Sequence, residues 1–214
     1  MVVFLLFLAL FIGCCLINFY AIHHRETGAN QKIAFWSKAF LMPLLLMSYL
    51  GFVHFKPSLF VVLALVFGFL GDVILEFGDH WFIPGLVSFL LGHVFWILSF
   101  TKSMQASSWM LWLCLVPLLL YGLILFKRLM TSTDAAKLKI PLVLYMLILV
   151  CLCQASVLRT KASLLPYLAG LFGSFLFMVS DSLLAVWIYL GGKERGIMLT
   201  YTAAQLLLML SQIL

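Results

Sequence analysis

Apolar residues run along this chain in long blocks separated by short polar gaps. Eight blocks stand out, at 1–20, 37–55, 57–77, 82–101, 108–127, 140–158, 163–190 and 196–214. A helix needs roughly 20 apolar residues to cross a bilayer, and all but the seventh block are near that length. The seventh is longer and is expected to tilt or project. In hydrocarbon every backbone N–H and C=O must be satisfied within the protein, and a helix does this inside one segment. The pattern therefore predicts an all-α integral membrane protein with eight transmembrane helices, forming a single transmembrane domain over 1–214. Pro57, Pro84, Pro141 and Pro166 fall near the expected helix starts, where the missing N–H costs least. Pro43 and Pro117 fall inside blocks and should kink them or free a carbonyl. The first block has no basic residues before it and no small-residue cleavage site, so it is expected to be a retained span.

The polar positions inside the blocks narrow the picture. The stretch FGFLGDVILEFGDHWFIPGLVSFLLGH, from Phe67 to His93, carries Asp72, Glu76 and Asp79 at i, i+4 and i+7. That spacing puts three carboxylates on one helical face. An acid in a membrane-length segment needs a cavity, a partner or a proton. The seventh block sets Asp181 in FLFMVSDSLL. Asp72 lies fifteen residues after Pro57 and Asp181 fifteen after Pro166. These two blocks run in the same direction, so both acids are expected at similar depth. Lys38, Tyr145, Tyr201 and Gln205 lie on blocks that start from the same face, and His93 near the middle of the fourth. The expectation is one polar cavity open toward the side with more basic loops. FGFLGDVIL and FLFMVSDSLL place their aspartates 109 positions apart. Four spans per half would make two parallel four-helix repeats about an axis along the membrane normal. Asp72 and Asp181 would then face each other.

Composition agrees with the pattern. Hydrophobic residues make up 65% of the 214 and charged residues 9%, against about 25% charged in a soluble domain. Mean hydropathy is +1.20. The net charge of +6 sits in the gaps, which points to loop and lipid-headgroup contact rather than nucleic acid. Gaps on one side hold Arg25, Lys32, Lys38, Lys127, Arg128, Lys137, Lys139, Lys193 and Arg195; those on the other hold Lys56, Lys102, Arg159 and Lys161. The positive-inside rule then puts both termini outside, in what is expected to be a bacterial inner membrane. The five cysteines lie inside apolar blocks without a CxxC and read as small packing residues.

The two aspartates admit three readings: helix-packing hydrogen bonds or a pair with Lys38, a proton relay in a lipid or small-molecule transporter, or acid–base catalysis. Two neighbouring carboxyls in a low dielectric cannot both ionise easily, which supplies an acid beside a base. His93 has no second mid-span histidine, and the chain has neither HxxxH nor HExxH. It reads as a packed or substrate-facing hydrogen-bonding group, with no metal site expected. Ser180 and Ser182 flank Asp181 without GxSxG or a paired histidine, so neither reads as a nucleophile. No glycine-rich phosphate loop is present, and no cofactor is expected.

Taken in order, several pieces resemble the YhhN-like membrane lysoplasmalogenases. They are Lys38 early in the second block, GDVIL with Asp72, Gly92-His93, SDSLLA from Ser180 to Ala185, and YTAAQ with Tyr201 and Gln205. Each motif is short; their order and spacing cover nearly the whole chain. The resemblance implies hydrolysis of the vinyl ether of a lysoplasmalogen, releasing a fatty aldehyde and glycerophosphocholine or glycerophosphoethanolamine. It implies Asp72 and Asp181 as catalytic residues. Lys38, Glu76, His93, Tyr145, Ser180, Tyr201 and Gln205 would then face the lysophospholipid.

Overall fold

The computed structural model describes residues 1–24, 28–105, 108–191 and 196–214. Among them the chain is all-helical: α1 (Val2–His23), α2 (Gly28–Phe52), α3 (Leu59–Leu75), α4 (Phe82–Phe100), α5 (Ser108–Leu129), α6 (Thr133–Lys137), α7 (Lys139–Val157), α8 (Leu164–Leu190) and α9 (Ile197–Leu210). Five helical stretches are long and apolar enough to cross a membrane: Val2–His23, Ala29–Phe52, Phe82–Ser103, Lys139–Val157 and Leu164–Leu190. The apolar α3 and α9 are shorter, at 17 and 14 residues, and α5 has 22 residues. Pro84, Pro141 and Pro166 each occupy the third position of a helix, and Pro43 and Pro117 lie inside α2 and α5. Arg25, Lys193 and Arg195, counted above toward orientation, lie outside the described residues.

The three acids of the first polar stretch do not share one helical face. Helix α3 stops at Leu75, with Glu76 as its C-cap. Gly78 then takes φ 99°, and Asp79 opens a separate 3-10 turn, Asp79–Trp81. Glycine adopts that left-handed conformation without the clash a side chain brings, so the chain changes direction before the i+7 register is reached.

The chain divides into two compact units, Met1–Ser99 with Ile213, and Phe100–Gln212 with Leu214. In the first, α1 and α2 are tied by polar side chains reaching backbone. Asn18 Nδ2 donates to Ala34 O and Ser37 Oγ, each at 2.9 Å. Ser48 Oγ donates to Phe4 O at 3.1 Å, and Gly51 lets Val3 and Phe4 approach its backbone closely. Hydrogen bonds and small residues hold helices together where lipid removes the hydrophobic drive between them. Helices α3 and α4 use the same means: Ser88 Oγ donates to Phe67 O at 2.7 Å, and Gly71 lies under the Phe89 ring.

In the second unit α8 touches α5, α7 and α9. Gly173 of α8 lies against the backbone of Ala204 and Leu208 in α9. Cys153 of α7 directs its thiol to Ser174 O at 3.4 Å. Leu129, Ala135 and Leu142 form a buried cluster that Ala185, Tyr189 and Leu190 cover. One charge is buried at the far end of this unit. Arg159, 4% exposed, donates to Ser103 Oγ at 2.9 Å, Pro166 O at 3.3 Å and Ser211 O at 2.9 Å. Its guanidinium also lies 4.3 Å from the centre of the Phe100 ring.

Candidate functional site

Each unit carries its own group of candidate residues. In the first, Asp72 stands on the last turn of α3 and is 2% exposed. One turn on, Glu76 Oε1 accepts from Lys38 Nζ of α2 at 2.9 Å. Both side chains of that pair are partly exposed, at 16% for Lys38 and 23% for Glu76. The pair forms where α3 ends, so the carboxylate reaches across to α2 beyond the apolar part of its own helix. His93 is buried on α4, and its Nδ1 lies 2.6 Å from Phe89 O, one turn earlier. A carbonyl partner makes Nδ1 the donor and gives Nε2 the lone pair.

In the second unit Tyr145 of α7 donates its hydroxyl to Asp181 Oδ2 of α8 at 2.7 Å. Tyr145 is buried and Asp181 partly exposed. The flanking serines serve neighbouring helices. Ser180 Oγ donates to Ile197 O at 3.1 Å and fixes the start of α9 against α8. Ser182 Oγ donates to Met178 O at 2.6 Å and accepts from the Tyr121 hydroxyl of α5 at 2.8 Å. Tyr201 and Gln205, four residues apart on α9, are both buried. The Tyr201 ring meets Phe177 edge-on, with centroids 5.6 Å apart. On the surface between α5 and α7 lies an open apolar groove of about 210 Å³, with Leu119, Gly122, Leu123, Val143 and Met146 among its lining.

Of the expected site residues, the structure pairs Lys38 with Glu76 and Tyr145 with Asp181. It gives His93 and Ser180 backbone partners and buries Tyr201 and Gln205 in α9. Two polar residues had not been singled out for a role. Tyr121 had one available signal, since it is a hydroxyl on an apolar helix just as Tyr145 is. Arg159 had none within its own segment, because two of its partners, Ser103 and Ser211, lie more than fifty residues away.

Among the described residues no group of three His, Cys, Asp or Glu side chains comes together as a metal site would require. The Tyr145 hydroxyl and the Asp181 carboxyl form a hydrogen-bonded pair instead. A phenol bonded to a carboxylate fixes that carboxylate's orientation.

No curated protein and no solved structure matches the chain. The model of the YhhN family matches residues 33–212, a stretch that takes in every candidate residue described above, and the chain belongs to that family.

Proposed function

We propose that this YhhN-family chain is an eight-span membrane hydrolase that cleaves the vinyl ether bond of a lysoplasmalogen. The products are a fatty aldehyde and a glycerophosphocholine or glycerophosphoethanolamine. In this reading both termini face outward and the membrane is a bacterial inner membrane. The observation that carries it is the oriented carboxylate of the second unit, Asp181 held by the Tyr145 hydroxyl at 2.7 Å, in a chain whose first unit buries a second carboxyl, Asp72.

Vinyl ether cleavage asks for what such groups supply. A proton is delivered to the β-carbon of the double bond, and the positive charge is shared between the α-carbon and the ether oxygen. Water adds to that oxocarbenium carbon and loses a proton, giving a hemiacetal. The hemiacetal collapses to aldehyde and glycerol hydroxyl. The slow step needs a proton donor and an anion beside the developing cation. In the proposal Asp72 and Asp181 share these roles. Tyr145 keeps Asp181 aimed, and Tyr201 and Gln205 hold the water or the ether oxygen. Lys38 suits the substrate phosphate. The open apolar groove between α5 and α7 is compatible with part of an alkenyl chain lying along it. No step calls for a metal, nucleotide or covalent intermediate.

The test is direct. Purified protein in detergent, incubated with lysoplasmalogen, should release free aldehyde in step with loss of substrate. A preparation that stays folded and releases none would overturn the hydrolase reading. If that same preparation moved protons in liposomes, a transporter using the same acids would replace it.

A further inference from the structure

The open groove of the second unit ends among cations. Its walls include Gly122, Leu123 and Phe126 of α5 and Val143, Met146 and Leu147 of α7. Gly122 deepens it, since nothing lies within 4 Å of where a Cβ would stand. Leu129 of α5 and Leu142 of α7 pack in one buried cluster, so the last turn of α5 and the first turn of α7 lie side by side. Residues four apart share a helical face. Lys127 follows Leu123 by four positions, and Lys139 precedes Val143 by four. Each therefore stands one turn beyond a wall residue, at the same end of the groove. Arg128 shares the last turn of α5. All three are exposed, and among the described residues none makes an ion pair. Asp134, the acid of the connection between α5 and α7, is already held by Lys137 at 2.8 Å. Lys127 and Arg128 suit the negative end of the α5 dipole, but Lys139 stands at the positive end of α7, where a cation is disfavoured. The rim thus carries positive charge that its own helices do not offset.

We infer that this groove and its basic rim bind an anionic phospholipid of the surrounding bilayer. One acyl chain lies along α5 and α7, and the headgroup phosphate meets Lys127, Arg128 and Lys139. Basic pockets between membrane helices hold anionic headgroups in this way. Shape alone admits any alkyl chain, that of a lysoplasmalogen included; charge separates the occupants. A zwitterionic lipid brings its own ammonium to a rim that is already positive, and like charges brought together are penalised. A lipid with net negative charge neutralises the rim and leaves no cation behind. The site is a lipid-binding site of the second unit and does not depend on the proposed reaction.

The experiment measures binding rather than turnover. The full chain in detergent is titrated with phosphatidylglycerol and with phosphatidylcholine of identical acyl chains, and bound lipid is counted by native mass spectrometry. Wild type should prefer the anionic lipid by about tenfold, the ratio that 1.4 kcal/mol represents. K127Q/K139Q should bind the two lipids alike. K56Q/K102Q removes the same charge from exposed positions on other connections and should keep the preference. G122L fills the floor of the groove and should weaken both lipids. A wild type without the preference overturns the site. So does an equal loss in K56Q/K102Q and K127Q/K139Q, because overall charge would then explain the binding. If G122L holds both lipids as tightly as wild type, the groove is not their seat and the inference fails. It fails too if a saturated alkyl lysophosphoethanolamine, which contains no vinyl ether, displaces phosphatidylglycerol from wild type, since the groove would then belong to the substrate.

Discussion

At the scale of single residues the proposal turns on two acids. Asp72→Asn and Asp181→Asn keep size and most hydrogen bonding, so both variants should fold and insert. Neither amide can donate the proton or balance an oxocarbenium charge. Each variant should lose about 10²–10⁴-fold in kcat, the usual contribution of general acid–base catalysis. The double variant should fall little further, because groups that act as a unit are not additive. Aldehyde release by purified protein checks this, and a single variant that keeps more than about a tenth of wild-type rate would refute the mechanism. These acids were legible in the sequence because a carboxyl inside an apolar block is costly and stands out against it. Arg159 was not. Its place after the α7 block made it read as a loop charge, whereas it is 4% exposed and bonded to Ser103, Pro166 and Ser211. Burial pushes its guanidinium down to about 10, which leaves it charged at neutral pH. The missing Cβ of Gly170, directly under Arg159 Nη1, makes the space. Arg159→Met would take the side-chain donor from two buried carbonyls, at roughly 1–3 kcal/mol each where water cannot replace it. Its melting temperature in detergent should drop by several degrees while kcat per folded molecule stays unchanged.

At the scale of elements, hydropathy reads the part of a helix that can enter lipid and not the helix itself. The second apolar block was expected from residue 37, yet α2 begins at Gly28. The added turns carry Asn30, Gln31 and Lys32; Gln and Lys form helix readily, but none of the three belongs in hydrocarbon. The one-turn α6, with Lys137 Nζ on Asp134 Oδ1 at 2.8 Å, escapes a window built for spans because it is five residues long. The close contacts between helices were hidden for another reason, since a glycine in an apolar run does not announce what it faces. Gly173 is such a case. A Cβ there would lie 3.0 Å from Leu208 N and 3.2 Å from Ala204 O. Both are backbone atoms of α9 and cannot rotate away. Gly173→Val should therefore force α8 and α9 apart and destabilise the second unit by about 1–3 kcal/mol, as overpacking does. A Cβ at Gly122 meets nothing within 4 Å, so Gly122→Val should cost much less. Thermal unfolding of the two variants in one detergent gives the comparison; equal melting temperatures would show that the α8–α9 contact is looser than its geometry.

At the scale of the whole molecule, the class was legible first and most securely. A chain with 65% hydrophobic and 9% charged residues is suited to helices in a membrane, which satisfy their own backbone, and among the described residues five helices have the length and composition to cross one. Orientation is a different kind of inference, since it rests on where charge sits between spans and not on packing. Lys127, Arg128, Lys137 and Lys139 surround α6 between α5 and α7, and Lys32 and Lys38 lie on the early turns of α2. Lys56, Lys102 and Lys161 fall on connections of the other parity. Arg159, counted with them, is buried against protein, so it weighs less on loop charge than its position in the sequence suggests. Discounting it strengthens the charge bias, which under the positive-inside rule predicts the α5–α7 connection inside. If the chain crosses eight times, as proposed, both ends emerge outside. Single cysteines placed at the two termini of a chain cleared of its own five should react with a membrane-impermeant maleimide in intact cells. A cysteine at Thr131, exposed between α5 and α6, should react only after the membrane is opened. Labelling of one terminus without the other would rule out an even number of spans. Labelling of the Thr131 position alone in intact cells would reverse the orientation and carry the basic loops outside.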